Sequence, residues 1–183
     1  MIGGIAAPTL VLDPQGAGTT RWRDCVPGRT EYPRHVDDIP VLGTTPFGTS
    51  AEVDASGWCF RRTPRAGQGR LTARPTIGLL LVLISPRHEE GAQALRDWGD
   101  FVHISHIAAA GVPGYTMITP YENVGDGPRY LHLYEMDADD PEAAFQRMTP
   151  LVKARLDRAE FDTWAVHPEL RIDYVSTYRL IDD

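Results

Sequence analysis

The chain has 183 residues, a formal net charge of −7 and an apolar fraction of 42%. That length fits one domain of ordinary size, or a smaller domain with a long appendage, and the composition is that of a globular chain rather than a disordered one. The charge is unevenly placed: residues 1–75 carry +2, from nine Arg and seven Asp or Glu, and residues 76–183 carry −9. An acidic body excludes broad binding to phosphate backbones, which needs a basic face, and it argues against anionic membrane surfaces.

Gly and Pro follow the same division. Residues 1–75 contain ten Gly and eight Pro, whereas the longer remainder contains seven of each. The first density approaches that of low-complexity chain. Short apolar clusters do occur there (Thr9–Leu12, Ile39–Leu42, Trp58–Phe60), each broken by Pro, Gly or Asp, and they read as edge strands or a hairpin at most. Residues 1–75 are therefore expected to form a mostly irregular leader, with 61–70 as a linker and Trp22, Phe47 and Trp58 docking on the body. The opening residues lack the basic and apolar regions of a signal peptide, and the most apolar run, Ile77–Ile84, is far too short to span a membrane. The two cysteines, Cys25 and Cys59, could pair but do not make a secreted framework, and no zinc spacing appears. The chain reads as soluble and cytoplasmic.

From residue 76 the pattern is legible. Thr76–Ser85 is a continuous Leu/Val/Ile run between two prolines, the mark of a strand buried on both faces. Apolar residues then recur at helical spacing from Glu89 to Ala110, and Gly111 and Pro113 stop the helix. Tyr115–Asn123 and Arg129–Met136 read as a hairpin around the turn cluster Gly125–Pro128. Asp140 followed by Pro141 is a helix N-terminus, and that helix should kink or break at Pro150. An extended piece near Trp164–Val166 and a last strand, Ile172–Ile181, complete the chain.

The order is β-α-β-β-α-β, the ferredoxin-like arrangement of an antiparallel sheet with both helices on one face. On the strand 129–136, Leu131 and Leu133 share one face and Tyr130, His132 and Tyr134 the other. Neither set belongs in water, so the face away from the helices needs a cover. A second copy of the chain is the expected one: a homodimer through the sheet face, closing a barrel around a semi-polar cavity.

The segment Asp97-Trp98-Gly99-Asp100-Phe101-Val102-His103 is similar to the D-W-x-D-x-x-H motif of the EthD-like group of dimeric α+β barrel proteins, and Pro113-Gly114-Tyr115 is similar to that group's P-G-[FY]. The body, about residues 76–183, thus resembles this family. It departs from the motif where Ser105 replaces a proline and His106 is added. The resemblance implies the dimeric barrel fold and His103 as the candidate catalytic residue. Relatives of that fold include cofactor-free monooxygenases, cyclases, isomerases and haem-dependent dehydratases, so fold alone does not fix function.

His103 suits general acid–base work near neutrality, and Asp100, three residues earlier, can orient its ring on a helix. The alternative for His103 is a helix cap. His106, Tyr115, Met117, Tyr130, His132 and Tyr134 are the candidate substrate-binding residues, with a tyrosine-rich dimer interface as the other reading. A metal held by Asp100, His103 and His106 would need a further ligand, so no metal and no cofactor is expected. There is no GxGxxG, Walker or GxSxG motif. The function expected is cofactor-independent proton transfer (isomerisation, cyclisation or elimination) on a small hydrophobic oxygenated molecule. The rivals are a non-catalytic ligand-binding or dimerisation module and a haem- or metal-dependent oxidoreductase. The expected partners are a second copy and a small ligand, with neither nucleic acid nor membrane.

Overall fold

Gly78–Pro86 places leucine at every second position and aliphatic side chains between, so both of its faces must be covered. A computed structural model, which describes residues 4–47, 57–70 and 72–182, shows what covers them. Nine strands form among the described residues: β1 (Thr9–Asp13), β2 (Thr20–Asp24), β3 (Val41–Phe47), β4 (Trp58–Arg62), β5 (Gln68–Gly69), β6 (Gly78–Pro86), β7 (Tyr115–Asn123), β8 (Tyr130–Met136) and β9 (Leu170–Leu180). Their order is β4-β1-β3-β2-β9-β6-β8-β7-β5, and a further pairing of β4 with β7 closes the first eight into a barrel. All pairings are antiparallel.

Two seams join the halves. Trp22, Arg23 and Asp24 of β2 stand opposite Leu180, Arg179 and Tyr178 of β9, and Phe60, Arg61 and Arg62 of β4 stand opposite Asn123, Glu122 and Tyr121 of β7. Closure removes the free sheet edges that would otherwise invite other strands. The short β5 hangs on the outer side of β7 through Gln68 and Gly69.

Inside the barrel, Leu79, Leu81 and Leu83 of β6 and Leu131 and Leu133 of β8 meet Leu10, Leu12, Trp22, Leu42 and Phe60 from the N-terminal strands. An eight-stranded barrel has an interior just wide enough to be filled by such side chains. Trp22 is fully buried, and its indole N–H donates to Thr44 Oγ1 at 2.9 Å. At one end the carboxylate of Glu135 accepts from Ile5 N at 2.6 Å and from Thr76 Oγ1 at 2.9 Å, and Tyr121 OH donates to Ala7 O at 3.0 Å. These bonds tie down the segment before β1.

The glycines of the N-terminal region serve this tight winding. A Cβ on Gly43 of β3 would lie 2.0 Å from Ala17 O, and one on Gly57 would lie 2.3 Å from Leu12 O. Only glycine permits such backbone approach.

The helices lie on the outer face of β6–β9. Glu89–Gly91 is a 3-10 turn; α1 (Ala92–Trp98), a π-helical turn (Gly99–His103) and α2 (Ile104–Ala110) continue it as one rod. Gly111, at φ +64°, ends the rod in the left-handed conformation. Then come α3 (Pro141–Lys153), whose Asp140 N-cap accepts from Ala143 N, and α4 (Arg158–Ala165), opened by a capping box between Asp157 and Glu160.

Several expectations are corrected here. The leader is not mostly irregular: it supplies β1 to β5, four of them barrel strands. The fold is therefore a closed eight-stranded barrel with flanking helices, not a ferredoxin-like four-stranded sheet, and the EthD-like resemblance fails with it. The barrel is complete within one chain, so the sheet face expected to form a homodimer is already occupied by the chain's own N-terminal half. The assumed extended piece at Trp164–Val166 is the end of α4 and the residue after it, and α3 runs through Pro150 without breaking. Both cysteines are free. No helix among the described residues is long and apolar enough to cross a membrane.

Candidate functional site

Since β8 alternates, burying Leu131 and Leu133 in the barrel sends Tyr130, His132 and Tyr134 to the helical side. The same holds on β6, where Leu80, Val82 and Ile84 point outward. The space between this outer face and the helices is not filled completely. A cavity of about 230 Å³ remains there, walled by His103 and His132, by Tyr134 beside them, and by the aromatic rings of Trp98, Trp164, Phe145 and Phe161. Tyr32, from the N-terminal region, completes one side and packs on Phe145 with ring centroids 6.0 Å apart.

The rod above the cavity contains the π turn, in which Ile104 N–H reaches back to Gly99 O. Such turns carry one extra residue and recur at functional sites. Here the turn presents His103 toward α4. His103 Nδ1 donates to Trp164 O at 3.0 Å, Trp164 Nε1 donates to His103 O at 3.1 Å, and Trp98 Nε1 donates to Thr163 O at 2.8 Å. The imidazole stacks on the Trp164 ring at 5.0 Å and 6° and lies 4.9 Å from Trp98.

The tautomer follows from these contacts. A carbonyl oxygen only accepts, so Nδ1 of His103 carries the hydrogen and Nε2 holds the lone pair. Burial pushes the His103 pKa down to about 4, against the bond to Trp164, with His106 adding to the lowering. His132 is 3% exposed; burial, with His103 adding to it, lowers its pKa to about 3. The two rings lie 6.4 Å apart. Neither His132 nor the hydroxyl of Tyr134 makes a side-chain hydrogen bond to another described residue. Gly99 is the reason His132 fits: a Cβ there would lie 2.9 Å from both Cε1 and Nε2 of the imidazole. Two neutral histidines thus share one apolar cavity.

The remaining sequence-predicted residues are dispersed. Asp100 does not orient His103. Its carboxyl is buried, lies 3.6 Å from Arg65 Nε, and is pushed up to about 6 by burial against the pull of Arg96 and Arg65. Trp164 O holds the position expected of it. His106, half-buried on α2, is not part of the cavity wall. Tyr130 donates its hydroxyl to Ala92 O at 3.0 Å, packing in a separate cluster with Ile84, Leu95 and Trp98. Tyr115 donates to Met148 Sδ at 3.8 Å, and Met117 lies near Gly67; both sit outside the cavity. A bulge in β7 between Tyr115 and Met117 breaks the assumed alternation: Tyr115 packs on the helical side while Tyr121 enters the barrel. Among the described residues no three His, Cys, Asp or Glu side chains gather as a metal site.

The sequence reading missed Gly99, Phe145, Phe161 and Trp164 as parts of the site. One signal for the last two was present, the Asp157-x-x-Glu160 capping box that starts α4.

The fold and site define a barrel with a cavity outside its staves, under the helices. No family model matches this chain, and no curated protein matches it. Among solved structures it is similar to one described as that of a major regulator of staphylococcal pathogenesis, with a TM-score of 0.53 and 10% identity over 94% of this chain and 99% of that one. At that identity the likeness concerns the fold alone. It extends through the N-terminal strands, so the whole chain, not its C-terminal part, is the unit of comparison.

Proposed function

We propose that the chain binds a small hydrophobic molecule carrying an oxygen function under its helices and moves a proton on it, as in isomerisation through an enol. The observation that carries this reading is the pair His103 and His132, both neutral, in one apolar cavity. A buried imidazole without a partner costs stability, and such costs concentrate at functional sites.

The chemistry runs on the chain's own groups. His103 Nε2 is the base: it takes a hydrogen from the carbon next to a carbonyl and becomes imidazolium. The electron pair moves to the carbonyl oxygen, and an N–H of His132 donates a hydrogen bond to that oxygen. His103 then returns the proton to oxygen or to a neighbouring carbon, which restores its neutral form. The lowered pKa keeps His103 unprotonated at neutral pH but also makes it a weaker base than an ordinary histidine, whose pKa lies nearer the working pH. The largely apolar walls lower the polarity around these groups, which strengthens their interactions.

The test uses 2-tetralone, an uncharged bicyclic ketone with acidic α-hydrogens, in deuterated buffer. Exchange at the α-carbon, followed by NMR, is expected to be accelerated by the protein and to fall at least tenfold in His103→Gln. Acceleration that is absent, or that is unchanged in the variant, defeats the catalytic reading. Binding of 2-tetralone without acceleration leaves a ligand carrier, the second reading.

A further inference from the structure

The cavity's polar groups go further than its size: they select the charge and the hydrogen-bonding character of what enters. Resting on the ligand-binding reading above, we infer that the ligand is an uncharged, flat molecule of one or two rings bearing a hydroxyl, and that carboxylates and amines are refused.

Three observations support this. First, no Asp, Glu, Lys or Arg side chain among the described residues forms the cavity wall. The nearby charges have ion-pair partners outside the cavity: Asp100 faces Arg65, and Arg29, stacked over Phe145 at 5.4 Å, pairs with Glu142 and Glu31, although its Nε makes no hydrogen bond. A charged ligand would lose its hydration and find no counter-ion, a cost far above that of any neutral polar group. Second, among the polar residues of the wall (His103, His132, Tyr134, Tyr32 and Thr149), His103 asks for a donor. The lone pair of His103 Nε2 is unmatched because Nδ1 is committed to Trp164 O. His132 and Tyr134 are uncommitted and can give or take a hydrogen. A hydroxyl supplies the missing donor and accepts from either neighbour; an ether or a bare ring leaves Nε2 unpaired. Third, aromatic rings make up much of the wall beside aliphatic side chains, which favours a planar ring. A volume of about 230 Å³ is the share of about seven or eight liquid waters and lies below the about 300–1,000 Å³ of sites for drug-sized ligands. One or two fused rings is the fitting scale.

The experiment compares three probes of one skeleton by calorimetric titration of the full chain at neutral pH: 2-naphthol, 2-methoxynaphthalene and 2-naphthoate. The expected result is that 2-naphthol binds about tenfold or more tightly than the ether, the loss of one buried hydrogen bond, and that the anion does not bind. In a His132→Leu variant, with folding checked by thermal melting, the preference for the hydroxyl should shrink toward equality. The inference is overturned if the ether equals the naphthol or if 2-naphthoate binds as well as either. If none of the three binds, the cavity itself is not a ligand site and the underlying reading falls with it. If the naphthol binds selectively while 2-tetralone shows no proton exchange, the ligand class stands and only the catalytic step is lost.

Discussion

The strands β6 to β9 have two faces that are treated in opposite ways. The face toward the barrel presents Leu79, Leu81, Leu83, Leu131 and Leu133, all without exposed surface, against side chains from β1 to β4. The face toward the helices presents Leu80, Val82, Ile84, His132 and Tyr134, and it is covered by short helical pieces that leave a cavity. Strands supply a continuous, periodic cover that matches a row of leucines. Helices interrupted at Gly99–His103 and again between α3 and α4 do not, and His103 and His132 line the gap that they leave. The comparison separates a side that is packed completely from a side where the packing leaves a cavity.

The largest effect should come from the barrel side. Trp22→Ala removes a fully buried ring contributed by the N-terminal half and is expected to cost about 3–5 kcal/mol in urea unfolding. The midpoint of the C-terminal half, followed by Trp98 and Trp164 fluorescence, should move with it. A small or local loss would mean that the halves do not share one core.

On the helical side, Gly99→Ala sets helix propensity against packing. Alanine is better by about 1 kcal/mol in a helix interior, but its Cβ meets His132 at 2.9 Å. Overpacking of this kind costs about 1–3 kcal/mol, so the variant should be no more stable than the wild type and should bind 2-naphthol more weakly. A gain in melting temperature with unchanged binding would show that His132 does not need that space.

The third prediction concerns pH. His103 and His132 titrate near 6.5 in the unfolded chain but only at about 4 and about 3 in the native one. Below 6.5 the unfolded state takes up protons that the native state refuses. The stability these groups allow is therefore full above that pH and is lost as the pH falls toward their native values, on the order of 1–2 kcal/mol per histidine between pH 7 and pH 5. Asp100, held up at about 6, acts in the opposite sense: the native state keeps its proton between 4 and 6, so its contribution fades as the pH rises through 6. Urea midpoints at the two pH values should show a smaller acid loss in His132→Gln than in the wild type. Equal losses would mean that His132 is protonated in the native state.

The smallest effect has the opposite sign. His132→Leu replaces an unpaired buried ring with an apolar side chain and should raise stability by about 1 kcal/mol while weakening hydroxyl recognition. Destabilisation instead would place His132 with the structural face rather than the functional one.

Much of the C-terminal half could be read from local chemistry. The stop at Gly111, the N-cap at Asp140, the turn at 125–128 and the strand Tyr115–Asn123 stand where the residues put them. The site was partly legible as well, since His103 and His132 do share a cavity, although not the one imagined between two copies. The N-terminal half was misread because its strands are short and its glycines were counted as disorder. Gly43 and Gly57 are there so that backbones can touch, and nothing in their neighbours' identity announces that.

By itself, the sequence determined that β6 is covered twice and that β8 has one leucine face and one aromatic–histidine face, because alternation at period two is a local property. Which face meets which cover was decided only in three dimensions. Strand pairing between residues as far apart as Trp22 and Leu180, or Phe60 and Asn123, closes the barrel and takes the leucines inside. A bulge in β7 and a π turn at Gly99–His103 then set which tyrosines and which histidines meet. These contacts are non-local, and their energy appears only when the chain is assembled, so the position of the cavity is a property of the tertiary structure.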